Sequence, residues 1–336
     1  MPSPFDADEQ SMTPDGRAPY PRLLGDIGGT HLRFGLALDP ADGIVATRSY
    51  RWSEVAGIEG AVESYLRDQS GPAPRACALS VAAPVSGDEV RLTNRGWAFS
   101  TTDLRQRLGV ERLDVLNDFT ALALAVPRLR PEDARQVGAG VAVADAPIAI
   151  LGPGTGLGVS ASLAAPAGRL AVPSEGGHAT LSASDATEDR LLSILRQWFG
   201  DVSFERVLSG DGIVNLYRAQ CAMAGIEAAP HDAATISELA AQGGDASCGA
   251  AMDRFFGFLG TFAGNLALTF DARGGVFLAG GIVPRLIDRI GSSSFRRRFE
   301  SKGRFRAYLE RIPTKVIADP AAAALLGANQ ALEARR

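Results

Sequence analysis

The sequence predicts an α/β protein with two domains, and three observations lead to that prediction. Its 336 residues, of which 46% are hydrophobic, are enough to build two compact domains with substantial cores. Segments patterned like strands alternate with segments patterned like helices, which is typical of a largely parallel or mixed sheet. A pair of strands around a glycine-threonine turn occurs once in each half of the chain. We therefore expect a cleft between the two domains.

The first half begins with a predicted hairpin at 23–36 and continues as alternating strands and helices. Strands are predicted at 43–50, at 76–82, near Val90 and at 113–116. A helix is predicted at 58–68, and another is expected to begin at Thr102.

The second half repeats the hairpin at 148–163 and then becomes strongly helical. Helices are predicted near 186–199, 211–224, 235–241 and 246–270, followed by strands at 275–279 and 314–317. An alanine-rich helix is predicted at 320–334. Because this helix comes after both halves are complete, folding back onto the first domain is one arrangement open to it.

Charge and hydropathy exclude several classes of protein. The formal net charge is −4, and acidic and basic residues are well mixed, so no basic stripe indicates a nucleic-acid partner. An arginine-rich stretch at 296–306 alternates with phenylalanines, and we expect it to be the solvated side of an amphipathic helix. The most apolar helix, 255–270, is shorter than the roughly 20 residues that span a bilayer, so no membrane partner is expected.

The scattered cysteines Cys77, Cys221 and Cys248 form neither a Cys-x-x-Cys pair nor an even disulfide set, which favours the reducing cytoplasm. With only three histidines, a structural zinc site is not expected. Residues 1–21 contain five prolines among polar residues and lack the apolar segment of a signal peptide. We expect them to form a flexible tail.

The two glycine-threonine turns share one local design. The first contains Gly25, Asp26, Ile27, Gly28, Gly29 and Thr30, and the second contains Gly154, Thr155, Gly156 and Gly158. Glycine lets successive backbone N–H groups converge on an anion, so two facing turns could grip one triphosphate from both sides. Only the first turn carries an acid, Asp26, placed where a carboxylate could hold Mg²⁺ directly or through water. For either turn alone, an ordinary glycine-rich β-turn is an equally good interpretation.

Two other phosphate-binding motifs are missing. The sequence contains no Gly-x-x-x-x-Gly-Lys-Ser/Thr string of the Walker A type. A dinucleotide fingerprint beginning at Gly152 would need glycine at position 157, which is Leu157, and a helix after it. The residues that follow alternate like a strand.

Asn117 and Asp118 lie at the carboxyl end of an apolar strand and just before a helical run, where ligands collect in open α/β sheets. Asp118 could act as the base for phosphoryl transfer to an alcohol, with Asn117 as a hydrogen-bonding neighbour. Both residue types are also favoured helix N-caps, so a capping role stays open.

A second polar constellation consists of Glu175, Gly176, Gly177 and His178. Its two glycines make a tight turn that could aim the acid and the imidazole at one small ligand, such as a sugar, whose hydroxyls need donors and acceptors. A general acid or base role for His178 is also open but less favoured than one for Asp118. A plain Gly-Gly turn with two solvated neighbours is the alternative.

Gly280 and Gly281 follow a predicted strand and would let a flat ring lie close against the backbone, although a plain strand-to-helix turn explains them nearly as well. Glu205 shows nothing locally beyond a charge on a helix. From its own surroundings it is expected on the surface.

Taken in order, these motifs resemble those of bacterial ATP-dependent glucokinases. The matching segments are 26–30, 116–118, 151–158, 175–178 and 278–284, and the similarity runs from about residue 22 to the end, including 205–210. The resemblance implies an actin-like, ribonuclease-H-like ATPase fold with a small domain at 22–128 plus 319–336, a large domain at 129–318, and a homodimer. The cysteine-rich zinc loop of the repressor-type sugar kinases is missing, which argues against that neighbouring family.

The resemblance also implies a role for individual residues. Asp118 becomes the catalytic base on the 6-hydroxyl of D-glucose, and the sugar ligands become Asn117, Asp118, Glu175, His178 and Glu205. Glu205 moves from the surface to the site by resemblance alone. The two glycine turns become ATP phosphate loops, and Gly280-Gly281 becomes the adenosine platform. The implied protein is a cytoplasmic glucokinase that uses ATP and Mg²⁺ to make glucose 6-phosphate at the entry to glycolysis.

Two rival interpretations stay open. A sugar-responsive regulator would bind ATP and glucose without productive transfer, although the chain offers no helix-turn-helix or basic face. An actin-like chaperone or filament ATPase would share the phosphate loops, but it would not need Asn117-Asp118 or the turn from Glu175 to His178.

Overall fold

The computed structural model describes residues 16–41, 43–92, 97–166 and 168–333. The chain divides into two compact units. The first ends at Leu129 and resumes at Asp319, and the second runs from Arg130 to Ala318. Each unit contains one large sheet covered by helices.

The strands are β1 (Arg22–Ile27), β2 (His31–Ala37), β3 (Val45–Arg51), β4 (Ala76–Val81), β5 (Glu89–Leu92), β6 (Trp97–Ser100), β7 (Arg112–Asn117), β8 (Ala134–Val137), β9 (Ile148–Pro153), β10 (Leu157–Ala165), β11 (Gly168–Ser174), β12 (Gly275–Leu278) and β13 (Thr314–Ile317). The α-helices are α1 (Ile58–Arg67), α2 (Thr101–Leu108), α3 (Asp118–Ala125), α4 (Ala186–Phe199), α5 (Gly210–Ala224), α6 (Ala233–Gln242), α7 (Ala246–Thr269), α8 (Ile287–Ile290), α9 (Phe295–Glu300), α10 (Arg306–Leu309) and α11 (Pro320–Glu333).

The two large sheets have the same core topology. The first has the order β3-β2-β1-β4-β7, and the second has the order β11-β10-β9-β12-β13-β8. In each, three consecutive antiparallel strands are followed by two strands parallel to the first of the three. The predicted α/β class with a mixed sheet is therefore confirmed, and the hairpin repeated in the sequence belongs to a larger repeated arrangement.

Burial along the strands follows their positions in the sheet. Every residue of β4 is buried, as expected for a central parallel strand covered on both faces. In β3, at the edge, only Tyr50 is buried. The helices α1 and α2 cover one face of this sheet, with Tyr65 and Leu104 in that core.

The other face of the first sheet packs against α11, through Leu325, Ala328 and Leu332. A Cβ atom at Gly327 would lie 1.8 Å from the carbonyl oxygen of Ala121, so glycine is required where α11 crosses α3. The final helix of the chain is thus part of the first unit.

Part of the expected N-terminal tail is ordered, which corrects that prediction. Ala18 is buried, and its N–H donates to the carbonyl of Leu332 at 3.0 Å. The guanidinium of Arg22, which is completely buried, donates to the carbonyl of Ala18 and pairs with Glu333. An apolar and ionic contact with α11 therefore holds residues 17–21 in place. Residues 1–15 lie outside the described part of the chain.

In the second unit, four helices begin at polar caps. The side chains of Asp185, Ser209, Asp232 and Asp245 each accept a backbone N–H from the first turn of α4, α5, α6 and α7, respectively. Such caps satisfy N–H groups that have no partner inside the helix. The core of this unit forms around α7, whose Phe255, Phe258 and Leu259 are completely buried.

The arginine-rich stretch is not a solvated helix face, because two of its arginines are largely buried. Arg298 donates to Glu188 Oε1 at 2.7 Å, and the side chain of Glu188 is only 1% exposed. Arg296 pairs with Glu300 and also donates to the carbonyl of Ile312. The sequence of this stretch did not indicate that one of its arginines would pair with the buried carboxylate of Glu188.

Other elements also differ from the sequence-based expectation. The short strands β6, β8 and β11 were not predicted, and Glu205 lies in a turn before α5 instead of on a helix. Cys77, Cys221 and Cys248 are buried and free of disulfides. Among the helices of the described residues, none combines the length and apolarity needed to cross a bilayer.

Candidate functional site

The first glycine loop joins β1 to β2. The N–H of Gly28 donates to the carbonyl of His31 at 2.9 Å, which closes the turn. The indole N–H of Trp52, which is almost fully buried, donates to the carbonyl of Gly28 at 2.9 Å. Thr30 is exposed at the tip. The loop is therefore fixed from behind by a neutral side chain while its threonine faces solvent.

Not every predicted residue of this loop is at its tip. Gly25 lies within β1, where a Cβ atom would come within 2.6 Å of Leu79, and Ile27 is part of the core. The glycine at position 25 is therefore required by side-chain packing. Gly28 and Gly29 are partly exposed next to Thr30.

Asp26 is the penultimate residue of β1 and lies beside two other polar groups. The parallel strands β1, β4 and β7 end at one edge of the sheet, which places Ser80 and Asp118 near Asp26. Ser80 Oγ donates to Asp26 Oδ1 at 3.2 Å. Burial, and after it the negative charge of Asp118, raise the pKa of Asp26 to about 7, against the opposing influences of Ser80 and Arg33. Two carboxylates this close favour the binding of a proton or a cation.

Asn117 and Asp118 stand at the junction of β7 and α3. Asn117 Oδ1 accepts the N–H of Phe119 at 3.0 Å and of Thr120 at 3.3 Å, so the capping interpretation is confirmed for Asn117. Its Nδ2 donates to the carbonyl of Ala83 at 3.3 Å. The partly exposed Asp118 accepts from the N–H of Phe119 at 3.0 Å through Oδ1. Capping fixes the start of α3 and with it the position of the Asp118 carboxylate.

The second glycine loop joins β9 to β10. The N–H of Gly154 donates to the carbonyl of Gly156 at 2.8 Å, and Thr155 is exposed at the tip. The N–H of Gly210, the first residue of α5, donates to the carbonyl of Gly154 at 2.9 Å. The positive end of a 15-residue helix therefore lies against this loop, an arrangement that favours anion binding. Gly158 follows within β10, paired with Gly152.

Glu205 braces the second loop from the side. Its Oε2 accepts the N–H of Leu157 at 2.9 Å, and a Cβ atom at Gly156 would lie only 2.7 Å from that oxygen. Its Oε1 lies 3.8 Å from His178 Nδ1. The structure therefore brings Glu205 into the constellation, although nothing in its own stretch of sequence indicated this.

The turn from Glu175 to His178 packs on the same loop. It forms a single 3-10 turn in which Gly177 is buried, and a Cβ atom there would lie 2.1 Å from the carbonyl oxygen of Leu157. The N–H of Glu205 donates to the carbonyl of Gly177 at 2.9 Å. Glu175 and His178 are both exposed. The glycines thus allow a close backbone contact that leaves the acid and the imidazole facing solvent.

Gly280 and Gly281 have different surroundings. Gly280 has a φ of +77°, and a Cβ atom there would lie 2.3 Å from the carbonyl oxygen of Pro153. At Gly281, apart from its two chain neighbours, no residue in the described part of the chain comes within 4 Å of a Cβ position. The first glycine is required for packing against the end of β9, and the second leaves open space for a flat ligand.

The predicted residues thus fall into two groups, each within one unit. Gly25 to Thr30, Asn117 and Asp118 belong to the first unit, and the second loop with Glu175, His178, Glu205, Gly280 and Gly281 belongs to the second. Sequence reasoning missed Trp52, Ser80 and Arg33, each of which approaches its partner from a different strand or turn. Within the described ranges no cluster of three or more His, Cys, Asp or Glu side chains could hold a metal ion.

The chain is similar to known proteins along nearly its whole length. The model of the family described as Glucokinase matches residues 23–335. The chain is 48% identical over 318 residues to the glucokinase of Aromatoleum aromaticum, covering 94% of this chain and 95% of that protein. It is 46% identical to the glucokinase of Paramagnetospirillum magneticum, covering 89% and 93% respectively.

Solved structures show the same likeness. The crystal structure of a glucokinase from an Antarctic psychrotroph superposes with a TM-score of 0.84 at 37% identity, covering 93% of this chain and 98% of that one. A ROK family glucokinase from Streptomyces griseus, solved with glucose and AMPPNP, superposes with a TM-score of 0.61 at 22% identity, covering 92% and 98%. The second likeness shows a shared fold alone.

Proposed function

The chain belongs to the glucokinase family, and we propose that it transfers the γ-phosphoryl group of ATP to the 6-hydroxyl of D-glucose, giving glucose 6-phosphate and ADP. One observation carries this proposal beyond the family assignment. Asp118 stands at the end of the sheet that also bears the first glycine loop, close enough to Asp26 to raise its pKa. A base and a phosphate loop at one sheet edge are what transfer to an alcohol requires.

In the proposed reaction, Asp118 accepts the proton of the 6-hydroxyl as that oxygen attacks the γ-phosphorus in line. A base acts when it lies within about 3 Å of the hydroxyl, and the capped start of α3 holds the carboxylate in one place. After the transfer Asp118 carries this proton, which is then released to solvent. Transfer of this kind depends mainly on positioning and on stabilising the charge spread over the phosphoryl oxygens.

We assign that charge stabilisation to the two glycine loops. Each offers backbone N–H groups and an exposed threonine, Thr30 or Thr155. In the second unit the N-terminal end of α5 adds its partial positive charge beside Gly154. Gly281, with its open space, is the proposed platform for adenosine.

The proposed sugar ligands are Asn117, Asp118, Glu175, His178 and Glu205. Glu175 and His178 are exposed polar groups held on one rigid turn, which suits directional bonds to hydroxyls. Asn117 already uses its carbonyl oxygen to cap α3 and one amide hydrogen to bond the carbonyl of Ala83, so we assign its second amide hydrogen to the sugar.

Mg²⁺ is proposed as the partner of ATP, with Asp26 holding it directly or through water. Because Mg²⁺ usually binds through one or two carboxylates plus substrate phosphates, a single acid beside the loop fits it. The crowding of Asp26 by Asp118 supports the same assignment, since a cation would relieve it. When bound, Mg²⁺ neutralises charge on the phosphates.

Further parts of the proposal come from the family resemblance. They are a homodimer, a cytoplasmic location, a role at the entry to glycolysis, and the actin-like fold with its ligand cleft. Light scattering of the purified protein tests the homodimer, and a monomeric mass would contradict it.

The central test is the variant Asp118→Asn. We expect it to bind glucose with little change in dissociation constant and to lose about 10²- to 10⁴-fold in kcat, because it removes the base and keeps the shape. ADP release by the unmodified protein must depend on glucose. A kcat of Asp118→Asn close to that of the unmodified protein would remove Asp118 from the role. Glucose binding without glucose-dependent ADP release would favour the regulatory interpretation.

A further inference from the structure

Glu205 contacts the second glycine loop in a way that sugar binding alone does not require. Its carboxylate oxygen Oε2 accepts the N–H of Leu157 at 2.9 Å, although 48 positions separate the two residues. Leu157 is buried at the start of β10, directly after the loop. The Glu205 side chain is 31% exposed, so one oxygen is fixed against the loop while part of the side chain reaches solvent.

The glycine at position 156 is explained by this carboxylate. A Cβ atom at Gly156 would lie 2.7 Å from Oε2 and 3.5 Å from the carboxyl carbon of Glu205, and, apart from the adjacent residues of the loop, no other described residue comes within 4 Å. At Gly154, two positions earlier, the nearest atom to a Cβ position is the backbone nitrogen of Gly281 at 3.8 Å. Position 156 is therefore filled from the side by Glu205, whereas position 154 is open.

The same carboxylate also faces the polar turn. Its Oε1 lies 3.8 Å from His178 Nδ1, and the backbone N–H of Glu205 donates to the carbonyl of Gly177 at 2.9 Å. A carboxylate has two oxygens and about four acceptor positions. Glu205 can therefore accept a sugar hydroxyl at Oε1 without releasing the N–H of Leu157.

We propose that Glu205 couples the sugar to the nucleotide: it positions the second glycine loop through Leu157, and a bound sugar strengthens that positioning. A sugar held at Oε1 restricts the rotamers of Glu205 and thereby orders the loop. ATP then binds with a smaller loss of conformational entropy, so its affinity is higher. By linkage, glucose and ATP each raise the affinity for the other by the same factor. The inference rests on the proposed function, because it takes Glu205 as a sugar ligand.

The first experiment measures the affinity for a non-hydrolysable ATP analogue with Mg²⁺ in the absence of any sugar, by calorimetry. Glu205→Ala should weaken this affinity about three- to tenfold, the effect of losing one positioning hydrogen bond. Glu205→Gln keeps an acceptor for the N–H of Leu157 and should stay within about twofold of the unmodified protein. His178→Ala is the matched control, because it removes a proposed sugar ligand on the far side of Glu205 and should leave this affinity unchanged.

The second experiment compares two alanine variants of the loop for glucose binding without nucleotide. Gly156→Ala pushes the flexible end of Glu205 aside and should weaken glucose binding about fivefold or more, although position 156 belongs to a phosphate loop. Gly154→Ala adds the same methyl group in open space and should bind glucose as the unmodified protein does. In the unmodified protein, saturating glucose should tighten binding of the ATP analogue by at least about fivefold.

Three results would each overturn the inference. They are an unchanged sugar-free nucleotide affinity in Glu205→Ala, equal glucose affinities of Gly156→Ala and Gly154→Ala, and independent binding of glucose and the ATP analogue to the unmodified protein. If the proposed function itself is wrong, the result is different: ADP release does not depend on glucose. The sugar-free nucleotide measurement distinguishes the two, since it needs no turnover.

Discussion

The two glycine loops share one hairpin design but are held by different chemistry. The first is fixed by the neutral indole of Trp52, which donates to Gly28 from a buried position. The second is fixed by the ionisable carboxylate of Glu205, which accepts from Leu157. A neutral buried support keeps its geometry whether or not ligands or protons are present. A partly exposed carboxylate, in contrast, can respond to a ligand.

The loops also differ in the charge they carry. With Thr30 matched to Thr155, Asp26 corresponds to Leu151, which is completely buried. The first loop therefore carries a carboxylate of its own, whereas the second loop carries none and is contacted by the carboxylate of Glu205 from outside. The comparison suggests a division of labour, with the first loop serving the cation and the second responding to the sugar.

Among changes to the two glycine loops, the largest effect is expected from Asp26→Asn. It keeps the size of the side chain but removes the charge that we assign to Mg²⁺, so kcat/KM for ATP should fall about 10²- to 10³-fold. Leu151→Met is the control at the matching position of the second loop, and it should keep activity within about threefold because the volume is conserved. If Asp26→Asn retained a normal dependence on Mg²⁺ concentration, the first loop would lose its assigned role.

A second effect is on stability and follows from the raised pKa of Asp26. The folded protein holds a proton on Asp26 up to a pH of about 7, while the unfolded chain releases it near pH 4. The unfolded state thus binds fewer protons in this window, and the free energy of unfolding falls as pH rises from about 4 to 7. Without nucleotide or Mg²⁺, the free energy of unfolding of Asp26→Asn should not show this fall. From pH 5 to pH 8, its free energy of unfolding should therefore rise by about 2 kcal/mol relative to that of the unmodified protein.

Denaturant unfolding followed by tryptophan fluorescence measures this gain. When both proteins also carry Trp198→Phe, the signal comes from the first unit alone. The remaining tryptophans, Trp52 and Trp97, both lie in the first unit. The same difference in stability at the two pH values would show that Asp26 does not titrate as described.

A smaller effect is expected from the exposed threonines. Thr30→Ala and Thr155→Ala should each raise the KM for ATP about tenfold, because each removes one hydroxyl from a proposed phosphate contact. Serine at either position keeps the hydroxyl and should restore most of the affinity. A change in the KM for glucose only would contradict the assignment of these loops to phosphate.

The smallest effect is expected from Trp52→Phe. It removes the N–H that holds Gly28 but keeps an aromatic ring, so the KM for ATP should rise about threefold with little change in kcat. Trp97→Phe is the matched control, because Trp97 packs edge-on against the same ring, 4.9 Å between centroids, without bonding the loop. Equal effects of the two variants would assign the change to packing.

Some contacts of the site could be anticipated from local sequence. Asn117 caps α3, as its position between an apolar strand and a helical run indicated. The glycine-threonine turns join antiparallel strands, as the apolar and alternating runs around them predicted. Such patterns are readable because they depend only on neighbouring residues.

Other features could not be anticipated, because they depend on residues that folding brings together. Arg298 belongs to a run of charges that resembles a solvated face, yet it pairs with the buried Glu188 from 110 positions away. Residues 17–21 have the composition of a tail, yet Ala18 is buried against α11 at the other end of the chain. The composition of a segment indicates only whether such residues are usually exposed or buried. It does not indicate which residues distant in sequence will pack against them.

The amino-acid sequence by itself determined most of the strands and helices and the two glycine loops, because periodicity and turn chemistry are properties of short segments. Only the tertiary structure decided that Glu205 braces one loop, that Trp52 braces the other, and that Asp118 acts on Asp26. A hydrogen bond or a charge interaction depends on distance in space. Packing, rather than position along the chain, sets that distance.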